Sequence, residues 1–355
     1  MSATTKTAQL GRAVRTQRFT PWPERSARRP ERPATSTATP ALSRAWARPG
    51  ASIGAWARSY FASDARRALV SALGLLWVLD GALQLQPYMY SGGFITQLKQ
   101  GALSEPRWLE ASIGWSAHLF AQNATLWNTL FALIQLSIGI GLLYRPTVKP
   151  ALALSFAWAL VVWWFGEAFG FMLMQMTAAS PLLGAPGAAL LYGLAGAALW
   201  PTERPGGLLG LRGTRAAWAT LWLAMAWLWL QFQNSGPNAI AAQIKVEAPA
   251  GASWLSGVEH WAASATTGNG VWLALLLASL SAAIGVSVAA NWHPRPFLLV
   301  AVALNLIYWA VGEGFGGIFT GHATDPNTGP LFILFAAVLY TLGRSEKTSR
   351  ATSNA

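Results

Sequence analysis

The amino-acid sequence predicts an all-α integral membrane protein with eight transmembrane helices, arranged as two parallel four-helix repeats. Three observations predict it. Of the 355 residues, 53% are hydrophobic and only 11% are charged, less than half the ~25% usual in a soluble domain. Twenty tryptophans suit a chain that meets membrane–water interfaces, because the indole is largely apolar yet donates one hydrogen bond. Finally, the element Trp163-Trp164-Phe165-Gly166-Glu167-Ala168-Phe169-Gly170 returns 146 positions later as Trp309-Ala310-Val311-Gly312-Glu313-Gly314-Phe315-Gly316, each copy closing a long apolar run.

Residues 1–65 are rich in Arg, Pro, Ser, Thr and Ala, as in Arg28-Arg29-Pro30-Glu31-Arg32-Pro33, and show no apolar periodicity. Such a segment buries too little surface to offset its ordering entropy, which predicts a disordered basic tail. Residues 1–67 hold 13 of the 25 Lys and Arg but 3 of the 13 Asp and Glu, so most of the net charge of +12 lies there. A cytoplasmic tail drawn to anionic lipid accounts for that charge. The expected partners are the lipid bilayer and other membrane subunits, not nucleic acid. The tail lacks the apolar core of a secretory signal, and Asp80 interrupts the apolar run that follows Arg66-Arg67.

Apolar spans then follow at approximately 68–86, 123–144, 150–166, 185–200, 216–233, 270–290, 296–312 and 329–343. They divide the chain into a first repeat over 68–200, an inner linker over 201–215, a second repeat over 216–343 and a cytoplasmic tail over 344–355. Several spans fall short of the ~20 residues that cross hydrocarbon upright, so local thinning or tilt is implied. With both termini inside, the inner segments carry 22 Lys and Arg, and the outer ones only Lys99, Arg107 and Lys245. The positive-inside rule therefore places both termini in the cytoplasm and the chain in the cell (inner, cytoplasmic) membrane.

The repeat extends beyond the central element. At the same offset Trp108, Trp115, Gly139 and Pro150 meet Trp254, Trp261, Gly285 and Pro296. Moving the offset to 147 pairs Gln84-Leu85-Gln86 with Gln231-Phe232-Gln233 and sets Asp80 against Trp227; moving it to 145 pairs Pro181 and Gly184 with Pro326 and Gly329. Four spans per unit is an even number, so the units share one topology and are expected to be related by a twofold axis along the membrane normal.

Candidate site residues gather at the outer ends of the spans. Glu167 and Glu313 each sit between glycines four apart, Gly166 with Gly170 and Gly312 with Gly316, a spacing that lets another helix or backbone approach closely. Gln84, Gln86, Gln231 and Gln233 end spans one and five on the same side. Asp80 is the ionisable residue clearly inside a span, and an intramembrane acid is a functional candidate by default. These residues predict a shared, partly dehydrated pocket holding Glu167, Glu313, Gln84 and Gln231, ringed by Trp163 and Trp309. The plainer reading is that each glutamate reaches outer water or satisfies a loop N–H.

The absence of cysteine excludes thiolate metal sites and iron–sulfur clusters within this chain. The four histidines, His118, His260, His293 and His322, all lie outside the spans, against a bis-histidine haem between helices. Met172, Met176 and His322 are secondary metal candidates, the thioethers suiting Cu(I). The stretch from Gly321 to Pro330 reads as a turn-rich loop leading into the last span.

The opening of the first unit, Leu73-Gly74-Leu75-Leu76-Trp77-Val78-Leu79-Asp80-Gly81, together with the span count, resembles the start of DoxX-type four-helix membrane proteins. That resemblance implies a link to membrane quinone and sulfur redox chemistry, with this chain as an accessory subunit and quinone as the cofactor. The residues themselves leave two other classes open: a transporter or binding protein for a small solute or metal cation such as copper, and a structural subunit of a larger membrane complex.

Overall fold

The computed structural model describes residues 64–103, 105–173, 179–247 and 251–353. The predicted basic tail, apart from its last residues, and Met176 lie outside them. Among the described residues every regular element is helical. The helices are α1 (Ala65–Leu83), α2 (Gly92–Gly101), α3 (Arg107–Gln122), α4 (Ala124–Leu143), α5 (Val148–Val161), α6 (Ala188–Leu199), α7 (Gly210–Trp229), α8 (Ala239–Glu247), α9 (Ser253–Thr266), α10 (Gly270–Ala289), α11 (Pro294–Ile307) and α12 (Thr328–Ser353).

Four segments are long and apolar enough to cross a membrane: Ala124–Leu143, Arg145–Gly166, Gly270–Ala289 and Pro294–Gly312. Their outward faces carry exposed Leu126, Leu133, Ile140, Leu160, Leu276, Leu299 and Ile307, a distribution that suits lipid and not water. The chain is therefore membrane-embedded. Helices α1 and α7 have comparable length but begin with Arg66-Arg67 and Arg212…Arg215. Helix α6 has 12 residues, roughly 18 Å at 1.5 Å per residue, well under the bilayer core. Helix α12 continues without a break through the segment predicted as a C-terminal tail.

Small residues set the tightest helix crossings. A Cβ added at Gly139 would lie 2.7 Å from the Gly74 carbonyl oxygen and 2.6 Å from Val78, so α4 meets α1 backbone to backbone. In the second half Gly285 faces the Ala219 carbonyl oxygen and Leu223 in the same way, joining α10 to α7. In the first half the ends of the helices are tied by arginines. Arg66 donates to the carbonyls of Leu199, Trp200 and Thr202, and Arg67 to those of Leu142 and Leu143. A cation at a helix C-terminus satisfies free carbonyls and complements the helix dipole.

These contacts correct one predicted register. Gly74 and Val78 occupy the places of Ala219 and Leu223, so α1 and α7 correspond at 145 and not 147. The turns agree: Gln86 and Gln231, 145 apart, both adopt extended backbone, at φ −68°, ψ 147° and φ −67°, ψ 142°, before a short helical turn. Asp80 therefore corresponds to Met225 and not to Trp227, and Gln84 to Trp229 and not to Gln231.

Candidate functional site

Both repeated elements break the helix in the same way. After α5 the backbone widens into a π-turn over Val162–Gly166, and after α11 into another over Tyr308–Gly312. The N–H of Glu167 then bonds the Val162 carbonyl and that of Glu313 the Tyr308 carbonyl, each at 2.9 Å. Four left-handed residues follow each: Ala168, Phe169, Gly170 and Phe171 at φ 45°, 58°, 68° and 59°, and Gly314, Phe315, Gly316 and Gly317 at φ 52°, 54°, 71° and 66°. Such a run is costly for L-residues with side chains, so the surroundings must hold it. The Phe169 ring packs edge-on to Trp163 at 4.9 Å and the Phe315 ring edge-on to Trp309 at 4.7 Å. The Trp163 indole N–H donates to the Pro186 carbonyl and that of Trp309 to the Pro326 carbonyl.

The glycines of each pair admit close backbone, one of the two partners expected for them. A Cβ at Gly170 would lie 2.1 Å from the Pro186 carbonyl oxygen, and one at Gly316 2.5 Å from the Pro326 carbonyl carbon. They admit a returning loop and not a second helix. Pro186 is thus the counterpart of Pro326, and the predicted pairing of Pro181 with it is corrected; the first loop is simply longer.

The glutamates follow the plainer reading. Glu167 accepts from the Ala189 N–H at 3.0 Å, in the first turn of α6. Glu313 accepts from the Gly329 N–H at 3.1 Å and from the Thr328 hydroxyl, at the start of α12. Each carboxylate satisfies a free helix-terminal donor and meets the positive end of the dipole. Burial pushes both carboxyls up to about 8. The two do not share a pocket. Glu313 is buried among its own partners, and Trp163 and Trp309 brace the corners.

A cavity of about 140 Å³ does form beside the first corner. Asp80 and Gln84 of α1, Glu167 at the corner and Asp325 from the loop before α12 line it, with Gln97, Gln135 and Tyr192. Its apolar wall includes Trp77, Phe94, Phe131, Trp158 and Phe165. No Lys, Arg or His among the described residues lines it. Gln84 is fixed by a reciprocal pair with Asn128: its amide donates to the Asn128 Oδ1 at 2.6 Å, and the Asn128 amide donates to the Gln84 carbonyl at 2.8 Å. The Trp77 indole N–H donates to the Ser155 hydroxyl at 3.1 Å, and its ring lies 4.1 Å from that of Tyr192. Asp80 is 2% exposed and has no basic partner among the described residues; the Tyr192 hydroxyl is the polar group that approaches its carboxyl, while the Gln135 Oε1 and the Trp158 Nε1 are unpartnered among the described residues.

Asp325 was legible in the sequence only as part of a turn. Its Oδ2 accepts from the Thr324 hydroxyl at 2.8 Å and its Oδ1 from the Asn327 N–H at 2.7 Å. Burial raises its carboxyl above the usual range, and its charge acts on Asp80, Glu167 and Glu313. The loop is latched to the first half: the Gln86 amide donates to the Ala323 carbonyl at 3.3 Å, and the exposed His322 stacks on Tyr88 at 4.0 Å.

The remaining candidates lie elsewhere. Gln231 is turned back onto the Trp227 carbonyl of its own helix, Gln233 is exposed, and Met172 is exposed beyond the first corner. Among the described residues no three His, Asp or Glu are grouped to hold one metal ion. Comparison with protein-family models, curated proteins and solved structures gives no match.

Proposed function

We propose that the protein is an eight-span binding or transport protein of the cytoplasmic membrane, taking a small organic cation in the cavity of its first half. One observation carries this reading: Asp80, Glu167 and Asp325 line a cavity with no described basic residue, and the buried Asp80 carboxyl has only the neutral Tyr192 hydroxyl beside it. A carboxylate shielded from water and unpaired demands a proton or a cation. The rings of Trp77, Phe131, Trp158 and Phe165 offer π-faces to an ammonium group, worth ~0.5–2 kcal/mol each. An organic ammonium suits acids dispersed around a cavity better than a metal ion, which needs them gathered. Ammonium binding to a protonated carboxyl releases that proton, so binding is coupled to pH.

The membrane reading behind this proposal is two parallel four-helix units with both termini inside. The matched corners at Glu167 and Glu313 support the two units, and the excess of 22 basic residues over 3 supports the orientation. The cysteine-free chain allows a clean check. A cysteine at Ser253 should react with an impermeant thiol reagent in intact cells and one at Thr147 should not; the reverse pattern would overturn the orientation.

A second reading keeps the DoxX-like link. The unpartnered Trp158 Nε1 on the cavity wall is a donor that a quinone carbonyl would accept, with buried acids at hand for its protons. Calorimetric titration of the purified protein with propylammonium, and separately with a short-chain quinone, separates the two. The first reading expects saturable propylammonium binding that Asp80→Asn abolishes. Quinone binding with no propylammonium binding would overturn it in favour of the second.

A further inference from the structure

The cavity belongs to the first half, but one of its acids does not. Asp325 reaches it on the loop that leads into α12 of the second half. That loop is held against the first half by Gln86 and Tyr88, and at its other end by the Trp309 indole on Pro326. A Cβ at Gly184 would lie 2.4 Å from the Asn327 Oδ1, so the first half's own loop closes against it too. Asp325 is therefore placed from both sides and does not dangle into the space.

The three acids are not equivalent. Both oxygens of Glu167 share the Ala189 N–H, so its charge is already opposed by the start of α6. Asp80 stands on the α1 wall with 2% exposure and only the neutral Tyr192 hydroxyl beside its carboxyl. Asp325 faces the same space from the loop, close enough for its charge to act on Asp80. No three of these acids come together round a single point. Asp80 and Asp325 thus line one cavity from two different elements, α1 and the loop before α12, with aromatic rings around them.

Resting on the cation-binding reading of this cavity, we infer that Asp325 is a specificity-determining residue, and that the preferred ligand is a short organic diammonium whose two charged ends face Asp80 and Asp325. A ligand with a single ammonium supplies a counter-charge to one acid and leaves the other without one. A diammonium neutralises both while its methylenes lie against the rings. Because Asp325 is carried by the second half, such a ligand also bridges the two halves.

The test is calorimetric titration of the full-length protein with 1,3-diaminopropane and with propylammonium, in the wild type and in Asp325→Asn. The amide keeps the size of the carboxylate and can still accept from Thr324 or Asn327, so the loop should stay in place; retained wild-type melting confirms that it does. The wild type should prefer the diamine, and Asp325→Asn should lose about tenfold in diamine affinity, roughly the 1.4 kcal/mol of one charge contact, with propylammonium changed less than threefold. If both proteins bind both amines with the same preference, Asp325 does not set specificity, although the cavity remains a cation site. If the wild type binds neither amine, the cation reading itself falls, and this inference with it. Should Asp325→Asn melt markedly lower, Asp325→Glu is the companion: restored diamine preference supports the charge, and lost preference with native melting overturns it.

Discussion

The two halves solve one packing problem in opposite ways. Where the first half places Asp80 on α1, the second places Met225, 1% exposed; where it places Gln84, the second has Trp229, fully buried. Asn128, the partner of Gln84, faces that pair from α4, and the matching position of α10 is Ala274, which leaves room for the indole. Val162 lines the cavity from the first π-turn; Tyr308 in the second lies 5.9 Å from Trp229. Tyr192 stacks near Trp77, whereas Phe332 meets Trp222 without a hydroxyl. Asp325 precedes Pro326, and Ala185 precedes Pro186. At the two matched α1 and α7 positions a polar side chain in the first half, Asp80 or Gln84, faces a space, and a large apolar one in the second, Met225 or Trp229, fills it. The corners that frame the two spaces are alike. Similar corners with a polar cavity beside one and a packed core beside the other place the candidate site on the first half's helices, completed by Asp325 from the second.

The largest expected effect lies in that packed core. Trp229→Ala should cost ~3–5 kcal/mol in chemical unfolding of the solubilised protein, as a buried aromatic is removed from a filled space. Gln84→Ala, which breaks the Asn128 pair beside an existing cavity, should cost ~1–3 kcal/mol. Equal losses would mean that the second half is no better filled than the first, and the contrast would collapse.

The corners should separate structure from binding. Glu167→Gln and Glu313→Gln each keep the acceptor and remove the charge at a helix N-terminus, a change of ~0.3–1 kcal/mol, read as small and similar shifts in melting temperature. Propylammonium binding should fall in the Glu167 variant alone, since Glu313 does not line the cavity. Loss of binding in both would join the halves into one site after all.

A smaller effect follows from protonation. Both glutamates shift from 4.5 to about 8 on folding, because burial disfavours their charged forms. The folded state therefore holds protons that the unfolded state releases above pH 4.5, and the associated stability is fully present below that pH. It is lost as pH rises through about 8, so the melting temperature of the ligand-free protein should decline over that window. The decline should flatten in the Glu167→Gln, Glu313→Gln double variant; an unchanged slope would show that other groups cause it.

Residue types with strong interfacial or conformational preference made part of this legible in sequence. Trp163, Glu167, Gly170 and their partners recur because each corner needs a bracing indole, a helix-end acceptor and a left-handed residue. The left-handed turn itself was hidden, since Ala168, Phe169 and Phe171 are not residues that announce positive φ. Gly166 and Gly170 therefore read as a pair open to either a helix or a backbone, without choosing between them. Register failed for a related reason: Gln-x-Gln matches Gln-x-Gln by identity, but burial of Trp77 and Trp222 on matching faces fixes the helices two positions away. Asn128 and Gln135 were masked by the apolar runs around them, and Asp325 by a loop rich in turn formers. What assembles the cavity is proximity between halves, which no local pattern records.

The central claim, that the cavity lined by Asp80 is the amine site, is most directly tested by stoichiometry. Native mass spectrometry of the purified protein with 1,3-diaminopropane should show a single specifically bound molecule per chain, absent in Asp80→Asn and retained in Trp229→Phe. Two bound molecules, or one that survives Asp80→Asn and is lost in Trp229→Phe, would contradict the account.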